Sequence, residues 1–117
     1  MTNITLYGIK NCDTVKKARK WLEQNSIDYT YHDFRLDGLK AETLSAWLNT
    51  IGAETLINKR STTWKQLSDT EKQRITNGEA LDIVLAQPTV IKRPVLMLAN
   101  DTLVGFNEKI YTDQLLG

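Results

Sequence analysis

The residue whose chemistry stands out is Cys12, the one cysteine in the chain. It lies in Tyr7-Gly8-Ile9-Lys10-Asn11-Cys12-Asp13-Thr14-Val15-Lys16-Lys17-Ala18-Arg19, which reads as a strand end, a tight turn and the start of a helix. A thiol at or just before a helix N-terminus faces unpaired N–H groups and the positive end of the macrodipole, both of which favour negative charge. A thiol so placed can ionise well below the ordinary value of about 8.5 and act as a nucleophilic thiolate at neutral pH. Lys10, Lys16 and Lys17 add positive charge nearby in sequence. A buried cysteine acting as a small hydrophobe has the same local signature, so the residues alone leave both readings open. Asn11 and Thr14 flank the thiol and are placed either to hydrogen-bond it or its substrate, or to serve as caps.

The elements that must hold this turn are legible from pattern. Asn3-Ile4-Thr5-Leu6-Tyr7 has the apolar and β-branched character of a strand. Gly8 permits a turn that a Cβ would resist. Val15, Ala18 and Leu22 recur at helical spacing, with Asp13 or Thr14 expected as the cap. Asp28 to Phe34 returns to strand composition, and a strand–helix–strand of this length predicts a right-handed crossover between parallel strands, closed by Asp37-Gly38.

A helical middle follows. Leu44, Trp47, Leu48 and Ile51 form an amphipathic stripe ended by Gly52. Ala53 to Ile57 reads as a shorter helix, and Ser68-Asp69-Thr70-Glu71 as a capping box opening a helix to about Asn77-Gly78. Leu81, Val84 and Leu85 mark one more, halted by Pro88. Val95-Leu96-Met97-Leu98 and Thr102 to Phe106 then predict a hairpin through Ala99-Asn100-Asp101. Asn107 is placed to cap a last helix with Ile110 and Leu115 among its buried residues. The order is β-α-β, a helical insertion over about 39–88, then β-β-α. It matches an α/β, thioredoxin-like fold with a four-stranded mixed sheet, read as a single domain over residues 1–117.

Composition narrows the function. A net charge of +1 argues against nucleic-acid binding by bulk electrostatics. No apolar run approaches the roughly 20 residues of a membrane span, and no signal-peptide pattern is read, so a cytoplasmic, reducing compartment is expected. One cysteine excludes an internal disulfide, and one cysteine with one histidine makes no metal cage, so no metal is expected. His32, on the second strand, reads as structural or exposed rather than as a general base. Trp21, Trp47 and Trp64 read as core or groove-lining residues. There is no oligomer signal, and a monomer is expected.

The chain resembles the arsenate reductase (ArsC)/Spx family of thioredoxin-like proteins, most of all its YffB-type subgroup of small bacterial proteins. The resemblance rests on Thr5 to Thr14, Asn58-Lys59-Arg60-Ser61, Ile91-Lys92-Arg93-Pro94-Val95 and Val104-Gly105-Phe106-Asn107-Glu108, in that order around one cysteine. It implies Cys12 as nucleophile, Arg60 and Arg93 as arginines bordering the site, and Pro94 as a cis-proline beside the cysteine. The residue before such a proline, Arg93, offers its backbone to a peptide-like substrate, so a glutathione backbone could pair there as a short added strand. Independently, arginine forks suit carboxylates, of which glutathione has two; the alternative for Arg60, Arg93 and the neighbouring lysines is a solvated surface.

Two departures from the family pattern matter. Leu103 to Glu108 holds no arginine where arsenate-reducing members carry a further one, which counts against arsenate reduction. Cys12-Asp13-Thr14-Val15 lacks the second cysteine of the family's redox-sensing regulators, so no internal disulfide switch can form. The expected function is a glutathione-dependent thiol reductase. Cys12 would form a mixed disulfide, and glutathione would serve as co-substrate and partner, with no tightly bound cofactor. Lys10, Arg60 and Arg93 would hold thiolate and tripeptide, and the substrate would be a small-molecule or protein disulfide. The alternative is a non-enzymatic regulator resembling Spx that binds RNA polymerase through the surface around Leu39 to Leu56, and arsenate reductase ranks third.

Overall fold

The computed structural model describes residues 4–10, 12–98 and 101–116. Along the chain run β1 (Thr5–Gly8), α1 (Asp13–Gln24), β2 (Thr30–Asp33), α2 (Ala41–Thr50), α3 (Ala53–Leu56), α4 (Thr62–Gln66), α5 (Asp69–Thr76) and α6 (Leu81–Ala86). A 3-10 turn (Pro88–Val90), β3 (Val95–Met97), β4 (Thr102–Val104) and α7 (Glu108–Leu115) complete the order. The chain divides into two compact units, residues 1–37 with 93–117, and residues 38–92.

The first unit holds the four strands found among the described residues, in the order β2-β1-β3-β4. β1 and β2 are parallel, as the crossover through α1 requires, while β1–β3 and β3–β4 are antiparallel. Tyr31, Leu6, Leu96 and Leu103 line up across the sheet in register. Side chains alternate along a strand, so these four share one face. On that face Ile4, Leu6 and Leu96 pack with Val15, Ala18 and Leu22 of α1 and Tyr111 of α7. Fully burying each of the larger aliphatic chains contributes about 1.5–3 kcal/mol.

Gly8 has a different job from the one a turn glycine performs. A Cβ built on it would lie 2.6 Å from Val15 Cγ2, so the missing side chain lets α1 approach β1. The second strand is shorter than the sequence expectation of Asp28 to Phe34, and β4 likewise stops at Val104 rather than Phe106. At α7 the expected register slips by one. Asn107 is the cap, its Oδ1 accepting the Ile110 N–H at 3.1 Å, but Ile110 is 46% exposed and Tyr111, 1% exposed, is the buried residue. Aromatic area won over the aliphatic pattern: Tyr111 stacks edge-on against Trp21 and Phe106, and its hydroxyl donates to the Gly105 carbonyl at 3.2 Å. Leu115 is partly buried. The expected hairpin turn falls largely on Ala99 and Asn100, which lie outside the described residues.

The second unit is helical. Leu44, Trp47, Leu56, Ile57, Ile75, Val84, Val90 and Ile91 are buried in it. Gly52 follows α2 at φ +91°, a backbone that favours glycine. Ser68 and Glu71 make the capping box of α5, and Gly78 at φ +75° follows its end. Helix α4, absent from the sequence reading, is opened by Ser61, whose Oγ accepts the Trp64 N–H at 3.1 Å. Ile57 and Ile91 form an isolated antiparallel bridge, with the Asn58 N–H donating to the Val90 carbonyl and the Lys92 N–H to that of Leu56, each at 2.8 Å. No helix among the described residues is long and apolar enough to cross a membrane.

Candidate active site

Cys12 is the N-cap residue of α1, with φ −103° and ψ 120°. This corrects the expected cap at Asp13 or Thr14, which instead occupy the first two helical positions. Extended backbone at Cys12 lets its carbonyl accept the Lys16 N–H at 3.0 Å, while its own N–H donates to the Ile9 carbonyl at 3.4 Å. No side chain caps the helix at this position. The Cys12 sulfur thus makes no capping bond to the first-turn N–H groups, which are the groups an α-helix cannot pair within itself. Cys12 is half-buried and packs against the core cluster between α1 and the sheet.

The register places further predicted residues at the same end of the sheet. Tyr7 pairs with Val95, so continuing that antiparallel register sets Pro94 opposite Gly8. Val95 pairs with Val104, and the Gly105 N–H donates to the Pro94 carbonyl at 2.8 Å. Asp33 stands opposite Gly8 on the other side. Asp33, Gly8, Pro94 and Gly105 thus make the last row of the sheet, and the turn carrying Lys10 and Cys12 leaves from it. The Arg93–Pro94 peptide bond is cis, Pro94 is buried and Arg93 half-buried. Lys10 and Thr14 are exposed. Asn11 lies outside the described residues.

Arg60 belongs to the other unit, where it is exposed and its backbone N–H donates to Asn58 Oδ1 at 3.0 Å. The Ser61 Oγ donates to the Asn58 carbonyl at 2.7 Å. The polar residues of Asn58-Lys59-Arg60-Ser61 therefore shape a turn and open α4, leaving the Lys59 and Arg60 side chains outward. Lys59 Nζ stands 5.7 Å and Lys72 Nζ 5.9 Å from the Trp64 ring centre, so this tryptophan bears cations on its face. Trp47 is core, Trp21 is half-buried beside Tyr111, and the His32 ring lies 4.7 Å from that of Tyr7.

The sequence reading passed over Asp33 and Tyr31. Asp33 is 2% exposed, and its Oδ1 accepts the N–H groups of Arg35 at 2.7 Å and Leu36 at 3.2 Å. Its Oδ2 accepts the Tyr31 hydroxyl at 3.3 Å, and the Lys10 N–H also donates to the carboxylate. Burial alone would raise the Asp33 pKa; these donors outweigh it and hold the carboxyl below its ordinary value. Burial first, then the Asp33 charge and the hydrogen bond to it, pushes the Tyr31 phenol up to about 12, with Arg19 opposing and Cys12 adding to the rise. The available signal was an aspartate at a strand end, four residues before a second aspartate that accepts its N–H at 3.0 Å.

A mixed sheet in this order, covered on one face by α1 and α7, with a cysteine capping the helix after β1 and a cis-proline on the adjoining strand, defines a protein of thioredoxin-like fold. Within that class the chain belongs to the ArsC family, whose model matches residues 7–113. It is similar to a solved protein named YFFB, 42% identical, covering 97% of this chain and 99% of that one at a TM-score of 0.90. An arsenate reductase (ArsC) related protein from Brucella melitensis is 45% identical over 95% of this chain and 92% of its own, with a TM-score of 0.75. The global transcriptional regulator Spx of Streptococcus pyogenes is 27% identical over 107 residues, 90% of this chain and 79% of that protein. The chain is thus related both to arsenate reductases and to Spx regulators.

Proposed function

We propose that the protein is a thiol-disulfide oxidoreductase that works through Cys12 alone and takes its electrons from glutathione. The thiolate of Cys12 attacks the glutathione sulfur of a mixed disulfide, forming a Cys12–glutathione disulfide and expelling the other sulfur as a thiolate, which takes up a proton. A second glutathione thiolate attacks the glutathione sulfur of that adduct, releasing oxidised glutathione and returning Cys12. One disulfide is reduced and one formed, and the external thiol does what a resolving cysteine would otherwise do. The observation that carries this reading is the chain's one cysteine at the N-cap of α1, at the end of the sheet where the cis Arg93–Pro94 bond also lies. Arg93 and Lys10 supply cations there for the carboxylates of the tripeptide. In this reading Thr14, in the first turn of α1, flanks the sulfur.

The test is glutathione-dependent reduction of the mixed disulfide of glutathione and 2-mercaptoethanol. Cys12→Ser should lose all turnover above background while keeping its circular dichroism and unfolding midpoint. Turnover retained in that variant would sink the mechanism. A folded wild-type protein that turns over no disulfide would instead favour the second reading, an Spx-like regulator of RNA polymerase, which the match to the Streptococcus protein supports; recovery of polymerase with the tagged protein would then be expected. Arsenate stays third as a substrate, because residues 101 to 116 contain no arginine.

A further inference from the structure

Among the described residues Asp33 is the one buried charged side chain. A buried carboxylate costs several kcal/mol unless its oxygens are satisfied, so a site that needed packing alone would be better served by an apolar residue. Every donor on this one belongs to the end of the sheet where Cys12 lies. Arg35 and Leu36 tie it to the turn after β2. The Lys10 N–H ties it to the turn after β1, two residues before the thiol. Tyr31 supplies the remaining bond from the same face of β2.

Tyr31 and Cys12 both pack against one core cluster, and the Arg19 guanidinium lies 4.1 Å from the Tyr31 ring centre. Gly8, opposite Asp33, carries no side chain to separate β1 from α1. Carboxylate and phenol are thus hydrogen-bonded beside the last row of the sheet, and the phenol ring packs on the same core cluster as the thiol. The other charged groups facing the pair are Arg19, over the ring, and Asp37, whose Oδ2 accepts the Asp33 N–H at 3.0 Å.

We propose that Asp33 is a positioning residue for Cys12: its carboxylate, through the Lys10 N–H and the Tyr31 hydroxyl, fixes the turn that carries the sulfur. The inference rests on Cys12 being the nucleophile. Disulfide exchange needs the attacking sulfur in line with the bond it breaks, and a misplacement of about 1 Å costs roughly 100-fold in rate. A bond from a buried anion to the backbone beside the nucleophile supplies such a constraint without placing a side chain in the substrate's path.

Two measurements test it. In the wild-type protein, amide resonances of Lys10, Arg35 and Leu36 should move together on acidification, with one midpoint below the ordinary aspartate range, and stay still in Asp33→Asn. A Lys10 amide that ignores this titration overturns the proposal. In Asp33→Asn, which keeps the size and one acceptor, removing the anion should shift the pH profile of Cys12 alkylation by iodoacetamide to lower pH. Glutathione-dependent kcat should nevertheless fall about 10- to 100-fold with KM changed less. Glu23→Gln, at the far end of α1, should leave the profile where it is. A folded Asp33→Asn with wild-type profile and kcat overturns the proposal. Should that variant not fold, Tyr31→Phe takes its place, with a several-fold fall in kcat of the folded protein expected and wild-type kcat overturning it. If the wild type turns over no disulfide, the proposed function fails, whereas the Lys10 titration and the alkylation profiles still decide this inference.

Discussion

The two units of the chain spend their polar side chains in opposite ways. In the helical unit they serve helix ends and turns at the surface: Ser61 caps α4, Ser68 and Glu71 close the box of α5, Asn58 bends its turn, and the Arg74–Asp82 pair at 3.0 Å sits in solvent with side chains 44% and 69% exposed. Exposed pairs of this kind contribute about 0–1 kcal/mol. In the sheet unit a charged group is buried, and its bonds run to the segments around the chain's one cysteine. Local caps stabilise the element they sit on and nothing else. A buried carboxylate with four donors constrains all the segments that donate to it, which is what chemistry at a turn requires. The contrast is one of burial: the caps of the helical unit lie at its surface, whereas the sheet unit closes its bonds around a buried anion.

The sharpest structural probe of that contrast after Cys12→Ser and Asp33→Asn is Gly8→Ala. Its Cβ would meet Val15 Cγ2 at 2.6 Å, and a buried branched side chain between strand and helix has little room to yield. Overpacking of this kind costs about 1–3 kcal/mol, and relief by moving the start of α1 would carry Cys12 with it. Val15→Ala makes room, so the double variant should lose less stability in urea than the two single losses added together, by about 0.5 kcal/mol or more. Strict additivity would mean that α1 does not rest on Gly8. The iodoacetamide rate at Cys12 should change in Gly8→Ala and return toward wild type in the pair.

A smaller effect is expected from Ser68→Ala. It removes the acceptor of the Glu71 N–H, 3.1 Å away, and its partner bond from the Ser68 N–H to Glu71 Oε1 loses its reciprocal half. The cost is about 1 kcal/mol, seen as a fall of a few degrees in Tm. Alkylation of Cys12 in the folded variant should stay at the wild-type rate. A changed rate would break the division of labour between the units.

How much of this was legible follows the same division. Signals carried by neighbouring residues were read correctly: the Ser68–Glu71 box, Gly52 after α2, the stripe of Leu44 and Trp47, and the parallel crossover from β1 to β2. The thiol at a helix start was legible too, off by one residue at the cap because extended backbone at Cys12 precedes the first helical position. What escaped depends on partners distant in sequence. Tyr111 is buried in place of Ile110 because Trp21 and Phe106 offer it ring contacts that no periodicity encodes. Asp33 looked like an ordinary strand-end aspartate, since nothing local says that the Lys10 N–H, across a parallel pair of strands, will meet it. Gly8 was assigned to turn geometry when close packing is its reason, a fact held by Val15. Helix α4 was missed because it is a single short turn whose one clear signal, Ser61, sat inside a motif read for its arginine.

The smallest predicted effect concerns Tyr31 at alkaline pH. Its phenol is pushed up to about 12 in the folded protein, against an ordinary value near 10 in an unfolded chain. The sign follows from linkage: between those values the unfolded state loses a proton that the folded state keeps, so this contribution to stability is complete below about pH 10 and is lost as pH rises through about 12. Tyr7 and Tyr111 are shifted in the same direction by burial, so the wild type should weaken steadily over that range. Tyr31→Phe removes one of the three contributions and leaves the others. Its unfolding free energy, measured against the wild type in urea from pH 9 to pH 11.5, should therefore fall less steeply, and the gap between the two proteins should change with pH rather than stay fixed. A constant gap would mean that the phenol ionises as freely in the folded protein as outside it. The hydroxyl could not then be held against Asp33, and the buried network beside Cys12 would lose one of its four donors.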